Sequence, residues 1–176
     1  MTRRSAWCCL FIGLLLLPTG CTPQKKKRNN AAIKAEAAEC FEVLKDAIGE
    51  LREGRTDKFW NLLSEASQAE AGKRAKAFRA DFAKREKAEQ DDIAAQLGVR
   101  ADELREKLNG FGYVRIKSEV IYKEYWMVAG AAIDHPQIES DDVVTIYYKP
   151  DEAEQKKDWI RFVLEDGEWK ADLKIP

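Results

Sequence analysis

The spacing of the apolar residues changes between the two ends of this chain, and that change constrains its fold more than any other feature. From Ala31 to Glu53 they recur at Ile33, Ala37, Phe41, Leu44, Ile48 and Leu51, steps of three or four that form one helical stripe. At the other end Trp169, Ala171, Leu173 and Ile175 alternate with Glu168, Lys170, Asp172 and Lys174, which is the two-residue period of a strand with one wet and one dry face. No single element satisfies both periods. Helices therefore come first and strands last, and the chain reads as an α+β domain.

The helical half carries its own punctuation. Gly54 ends the first helix, and Thr56 is placed to cap a short second one carrying Phe59, Trp60, Leu62 and Leu63. Ser67 with Glu70 three residues on reads as a capping box for a third helix, whose buried side is Ala71, Ala75, Phe78 and Phe82. Its other side holds Lys73, Arg74, Lys76, Arg79, Lys84, Arg85 and Lys87. A basic stripe of this kind suits anionic lipid or an acidic partner. The pairs Glu70–Arg74 and Asp81–Arg85 sit at i, i+4, however, as in an ordinary solvated face, and that is the expectation here.

Ile93 to Val99 followed by Asp102 to Leu108 resembles a helix-turn-helix DNA reader turning at Gly98. Asp102, Glu103 and Glu106 in the second segment would repel phosphate, so two packed helices joined at a glycine are expected instead. Phe111 to Ala132 fits both periods: Val114, Ile116 and Val120 alternate with charges, while Tyr113, Ile116, Val120 and Ile121 share a helical face. Helix is expected there.

Asp142 to Lys149 is strand-like through its run of β-branched and aromatic residues, Pro150 to Lys157 is a polar connection, and Asp158 to Leu164 is a second strand. Glu165-Asp166-Gly167-Glu168 turns the chain into the last strand, because Asp-Gly readily takes the positive φ angles of a tight hairpin.

The front of the chain is set apart. Arg3 and Arg4 precede an apolar stretch from Ala6 to Leu17, too short to cross a hydrocarbon core that needs about 20 residues. It ends in Leu17-Pro18-Thr19-Gly20-Cys21, which resembles the lipobox of bacterial lipoproteins, with Pro18 where Leu is usual. The resemblance implies a signal peptide over residues 1–20, diacylglycerol on Cys21 and a membrane anchor in the cell envelope. The alternatives are an uncleaved anchor and a plain secretory signal. Residues 21–30 carry Pro23 and the basic run Lys25 to Arg28 without an apolar side chain, so they read as a solvated tether, and 31–176 as one domain of about 146 residues. Thirty basic against 31 acidic residues give no general reason to expect nucleic acid. Of the four cysteines only Cys40 belongs to the folded part, where its place on the helical stripe marks it as a small buried hydrophobe.

Phe59-Trp60-Asn61-Leu62-Leu63-Ser64 after a long first helix, with a terminal hairpin from Trp159 to Asp172, resembles the nuclear transport factor two-like superfamily, to which ketosteroid isomerase and related polyketide cyclases belong. The resemblance implies a cone in which N-terminal helices pack in the concavity of a curved antiparallel sheet. Two functions follow. One is a noncatalytic module that binds a small apolar ligand or an envelope protein, suited by Tyr113, Tyr122, Tyr125, Trp126, Tyr147, Tyr148, Trp159, Phe162 and Trp169, most of which are expected in the core. The other is an isomerase or cyclase, which needs a base and a phenol for the oxyanion. Asp134 and His135 are the adjacent pair offering a base, and Tyr125, Tyr147 or Tyr148 the phenol; Pro136 biases His135 toward extended backbone. No cofactor and no metal site is expected, since there is no cysteine-histidine cluster and no glycine-rich phosphate loop.

Overall fold

The computed structural model describes residues 28–150 and 158–176. The expected signal peptide, Cys21, the first part of the expected tether and most of the polar connection before the second predicted strand lie outside the described residues.

The first helix, α1, spans Asn30–Leu51; the Asn29 side chain caps it by accepting the Ala31 amide at 3.0 Å. Gly54, at φ 75°, reverses the chain after it. The next helix, α2, spans Asp57–Leu62. Thr56 does not cap it as expected: its backbone lies near the helical region (φ −112°, ψ −13°) rather than extended, and its side chain makes no capping bond. Helix α3, Glu65–Phe82, starts earlier than the predicted capping box. Ser64 is the cap, accepting the Ser67 amide at 3.1 Å, and Ser67 is already inside the first turn. The Ser67 hydroxyl is turned instead to the far end of the chain, where it accepts the Leu173 amide at 2.8 Å.

Helix α4 spans Lys87–Gln96, and Gly98 follows it at φ 64°. The segment after that glycine is not a second α-helix. It is dominated by one π-helical turn, Glu103–Lys107, that buries Leu104. The stretch with two competing periods is helical, as expected, but in two pieces. These are α5, Gly110–Ile116, capped by Asn109, and α6, Ser118–Ala129.

Four strands form one antiparallel sheet in chain order: β1 Ala132–Ser140, β2 Val143–Lys149, β3 Asp158–Glu165 and β4 Glu168–Asp172. The hairpin turn falls on Asp166 (φ 51°) and Gly167 (φ 86°), as its sequence demands. The last strand stops at Asp172, three residues short of the alternation, although Leu173 and Ile175 remain buried. The reason is local: the Leu173 amide bonds the Ser67 hydroxyl rather than a neighbouring strand, and the Ser64 amide bonds the Ala171 carbonyl at 2.9 Å.

The core lies between α1 and one face of the sheet. Phe41 on α1 sits against Tyr148 on β2 (ring centroids 5.7 Å apart) and Phe162 on β3 (6.4 Å), all three buried. Ile33, Ala37, Leu44, Ile48 and Leu51 extend the same stripe, each at most 1% exposed. Burying a side chain of this size is worth about 1.5–3 kcal/mol, so this stripe is the main attachment of helix to sheet. Cys40 is buried beside it and donates to the Trp169 carbonyl at 3.3 Å. No helix among the described residues is long and apolar enough to cross a membrane.

Candidate functional site

Residues paired across strands lie on the same side of a sheet. Val144, Ile146 and Tyr148 face the core, so Val143, Thr145, Tyr147 and Lys149 face away from it, and the same parity puts Trp159 and Arg161 of β3 on the outer side. This wet face is where the residues with a chemical reading collect.

A bulge in β1 arranges them. Ile133 pairs with Tyr148 and His135 with Tyr147, two residues against one, which leaves Asp134 as the extra residue. Ile133 thereby keeps to the core side while His135 goes to the outside. Pro136, two places on, is tolerated because β1 is an edge strand and needs no donor on its free side. Asp134 is held on both oxygens: Oδ1 lies 2.6 Å from Lys149 Nζ and Oδ2 lies 2.9 Å from His135 Nδ1. Its side chain is only 14% exposed, against 52% for His135.

The His135 ring then stacks on Tyr147, centroids 4.7 Å apart and planes 10° from parallel. Tyr147 in turn pairs in register with Trp159, which is 55% exposed. Three rings thus stand in a row across β1, β2 and β3 on the wet face. A second row crosses beside it through Gln137, Thr145, Arg161 and Asp172. Arg161 reaches Asp172 at 3.3 Å and Glu139 at 3.7 Å, and the Thr145 hydroxyl bonds Glu139. Trp159, Arg161, Asp172 and Lys174 also line a groove of about 360 Å³ that is closed on its other side by Ala66 and Glu70 of α3.

Comparison of the chain with protein-family models, with curated proteins and with solved structures finds no match. What the site can do rests on its own geometry.

Asp134, His135 and Tyr147, singled out from the sequence, do come together, but ring against ring rather than around a shared point. The other two phenols belong to the opposite side of the sheet. Tyr148 faces Phe41, and burial together with the nearby Asp158 carboxylate pushes its hydroxyl well above the ordinary tyrosine range. Tyr125 on α6 donates to the Lys174 carbonyl at 2.6 Å, and burial pushes it up to about 12. Both are neutral donors already engaged inside the fold.

Lys149 and Trp159 join this group only through the register of β2 with its neighbours. Trp159 stood among the aromatics expected mostly in the core, and no signal local to either residue reveals a partnership made by register. Only four of those nine aromatics, Tyr113, Tyr148, Phe162 and Trp169, are buried, fewer than expected, and Trp126 and Trp159 are 45% and 55% exposed.

Proposed function

We propose that this protein is an envelope lipoprotein, cut before Cys21 and held by lipid on that thiol, whose domain is a noncatalytic binding module of the nuclear transport factor two-like kind. The observation that carries the binding reading is the row His135–Tyr147–Trp159 on the wet face of the sheet. Tryptophan and tyrosine left partly or largely exposed on a polar sheet face are among the residue types on which protein interfaces concentrate their energy. The ion pairs of Lys149 and Arg161 around them supply a polar rim. The core side of the sheet is packed by Phe41, so the face offered to a partner is the outer one, and an envelope protein suits it better than a small apolar ligand.

The helices-then-meander order, with α1 across one face of an antiparallel sheet, supports the cone reading of the domain. The alternative, an isomerase or cyclase, draws on the 2.9 Å contact between His135 and Asp134. A catalytic pair works best shielded from water with an oxyanion donor in reach. Here the imidazole is half exposed, and the buried phenols face the other way, which favours binding.

Two measurements test the reading. Cys21→Ala is expected to move the protein from the membrane to the soluble fraction, and unchanged fractionation would remove the lipid anchor. A photo-reactive side chain at position 159 in cells is expected to give a discrete protein adduct that weakens in His135→Ala and Tyr147→Ala, with none from position 42 on the exposed side of α1. Equal cross-linking from both positions would remove the interface.

A further inference from the structure

A second surface, separate from the sheet face, has the features of a small-molecule site. The π-helical turn and α5 enclose a cleft of about 150 Å³ between Val99, Leu104, Leu108, Gly112 and Ile116, with Glu103, Lys107 and Arg115 at its mouth. The floor is apolar and dry: Leu104 is 1% and Leu108 8% exposed. The backbone is shaped for this opening in two ways. The i to i+5 bonding of a π turn widens the helix and re-aims its side chains, a device found often at functional sites. Gly112 packs where a methyl group would meet Leu108 Cδ1 at 3.1 Å, so the absence of a side chain there lets the cleft wall approach Leu108.

The charges at the mouth are uneven. Arg100 and Asp102 nearby satisfy each other at 2.9 Å, but neither Lys107 nor Arg115 has a carboxylate within ion-pair distance among the described residues. Lys107 also feels the Asp102 carboxylate, which Arg100 already holds, so two cations without a direct ion pair face one acid, Glu103, at the cleft. Above an apolar floor they are complementary to a molecule with a hydrocarbon body and one negative end. A cleft of roughly 150 Å³, apolar at its floor and charged at its mouth, accommodates a molecule of about six carbons with its head group. We infer that this cleft binds a small monocarboxylate of about that size, its hydrocarbon against Leu104 and Leu108 and its carboxylate between Lys107 and Arg115. The inference is independent of the sheet-face interface, and either can fail alone.

The test uses three six-carbon probes whose head groups are anionic, neutral and cationic: hexanoate, hexanol and hexylammonium. Each is titrated into the purified full chain while the backbone amide resonances of Val99, Leu104, Leu108 and Gly112 are followed by NMR. Hexanoate is expected to move these four resonances saturably and to bind about tenfold tighter than hexanol, with hexylammonium weakest. Lys107→Gln with Arg115→Gln is expected to bring hexanoate down to the level of hexanol. Both side chains are exposed and unpaired, so the double variant should keep its thermal midpoint, which circular dichroism checks. Hexanoate leaving the four resonances unmoved would overturn the proposal. So would equal binding of hexanoate and hexanol by the wild type, or a double variant that still prefers hexanoate.

Discussion

The two faces of the sheet are built from the same strands, yet they behave as two different materials. On the core face, side chains from β2 and β3 pack against α1, and Phe41, Ile146 and Phe162 are wholly buried. On the outer face, alternate residues of the same strands hold a bulge, two ion-paired clusters and a row of half-wet rings. The first face holds the buried bulk of the fold, and the second holds the row to which we assign binding. The difference follows from the period of two: a strand assigns neighbouring residues to opposite environments, so the fold can fill one face with bulk and leave the other open to different selection.

The sharpest way to break this division is to truncate one ring on each side. Phe41→Ala is expected to cost about 3–5 kcal/mol, because it removes a fully buried ring and leaves a cavity between helix and sheet. Trp159→Ala removes a larger side chain that is already more than half in solvent, and is expected to change stability by less than about 1 kcal/mol while weakening partner cross-linking. Chemical denaturation of the two variants measures both. Comparable losses would mean that the outer row is structural.

A second, smaller effect separates the faces by pH. Burial pushes the Cys40 thiol from its ordinary 9.0 up to about 11 and the Tyr125 hydroxyl from 10.0 up to about 12. In both cases the folded state keeps a proton that the unfolded chain has released, so the associated stability is fully present below pH 9 and declines as pH rises. Each group contributes at most about 1.4 kcal/mol per pH unit within its own window. The urea midpoint is thus expected to fall from pH 9.0 upward, and Cys40→Ser, which keeps a donor for the Trp169 carbonyl, is expected to delay the fall until the tyrosine window opens at 10.0. An onset that does not move would assign the alkaline limit to other groups.

Much of the dry face was legible in the sequence. The stripe from Ile33 to Leu51 and the hairpin at Asp166-Gly167 are local signals, read from spacing and turn chemistry, and both stand where the sequence puts them. The first strand was not legible, for a physical reason. Its core-facing residues are Ile133, Pro136 and Ile138, and the bulge at Asp134 shifts their parity partway along, so no two-residue period survives. The candidate site was half legible. Asp134 and His135 are adjacent in the chain and were found together, but Lys149 and Trp159 join them only through register with β2 and β3, which no local signal reports. The cap of α3 was misplaced by three residues because Ser64 and Ser67 are chemically alike. What distinguishes them is the amide of Leu173, more than a hundred residues away.

The capping assignment gives the third test. Ser64→Ala removes the acceptor for the Ser67 amide and is expected to cost about 1 kcal/mol. Glu70→Ala removes only the surface pairs with Arg74 and, more loosely at 3.8 Å, Lys73, and is expected to cost no more than about 0.5 kcal/mol. A capping box at Ser67 and Glu70 would reverse that order, so the two variants decide between the two helix starts.

The smallest effect expected is on the wet face itself. Lys149 lies 2.6 Å from Asp134 Oδ1, but its side chain is 59% exposed, so solvent and salt screen the attraction. Asp134 also keeps His135 as a partner when the lysine is removed. Lys149→Gln is therefore expected to cost less than about 1 kcal/mol in dilute buffer, and the difference from the wild type should largely vanish in 1 M salt, where the Debye length is only about 3 Å. A loss that persists at high salt would mean that the carboxylate is effectively buried and that the bulge depends on its pairing. The outer face would then contribute to the stability of the fold as the inner one does, and the contrast between the two faces would be one of degree.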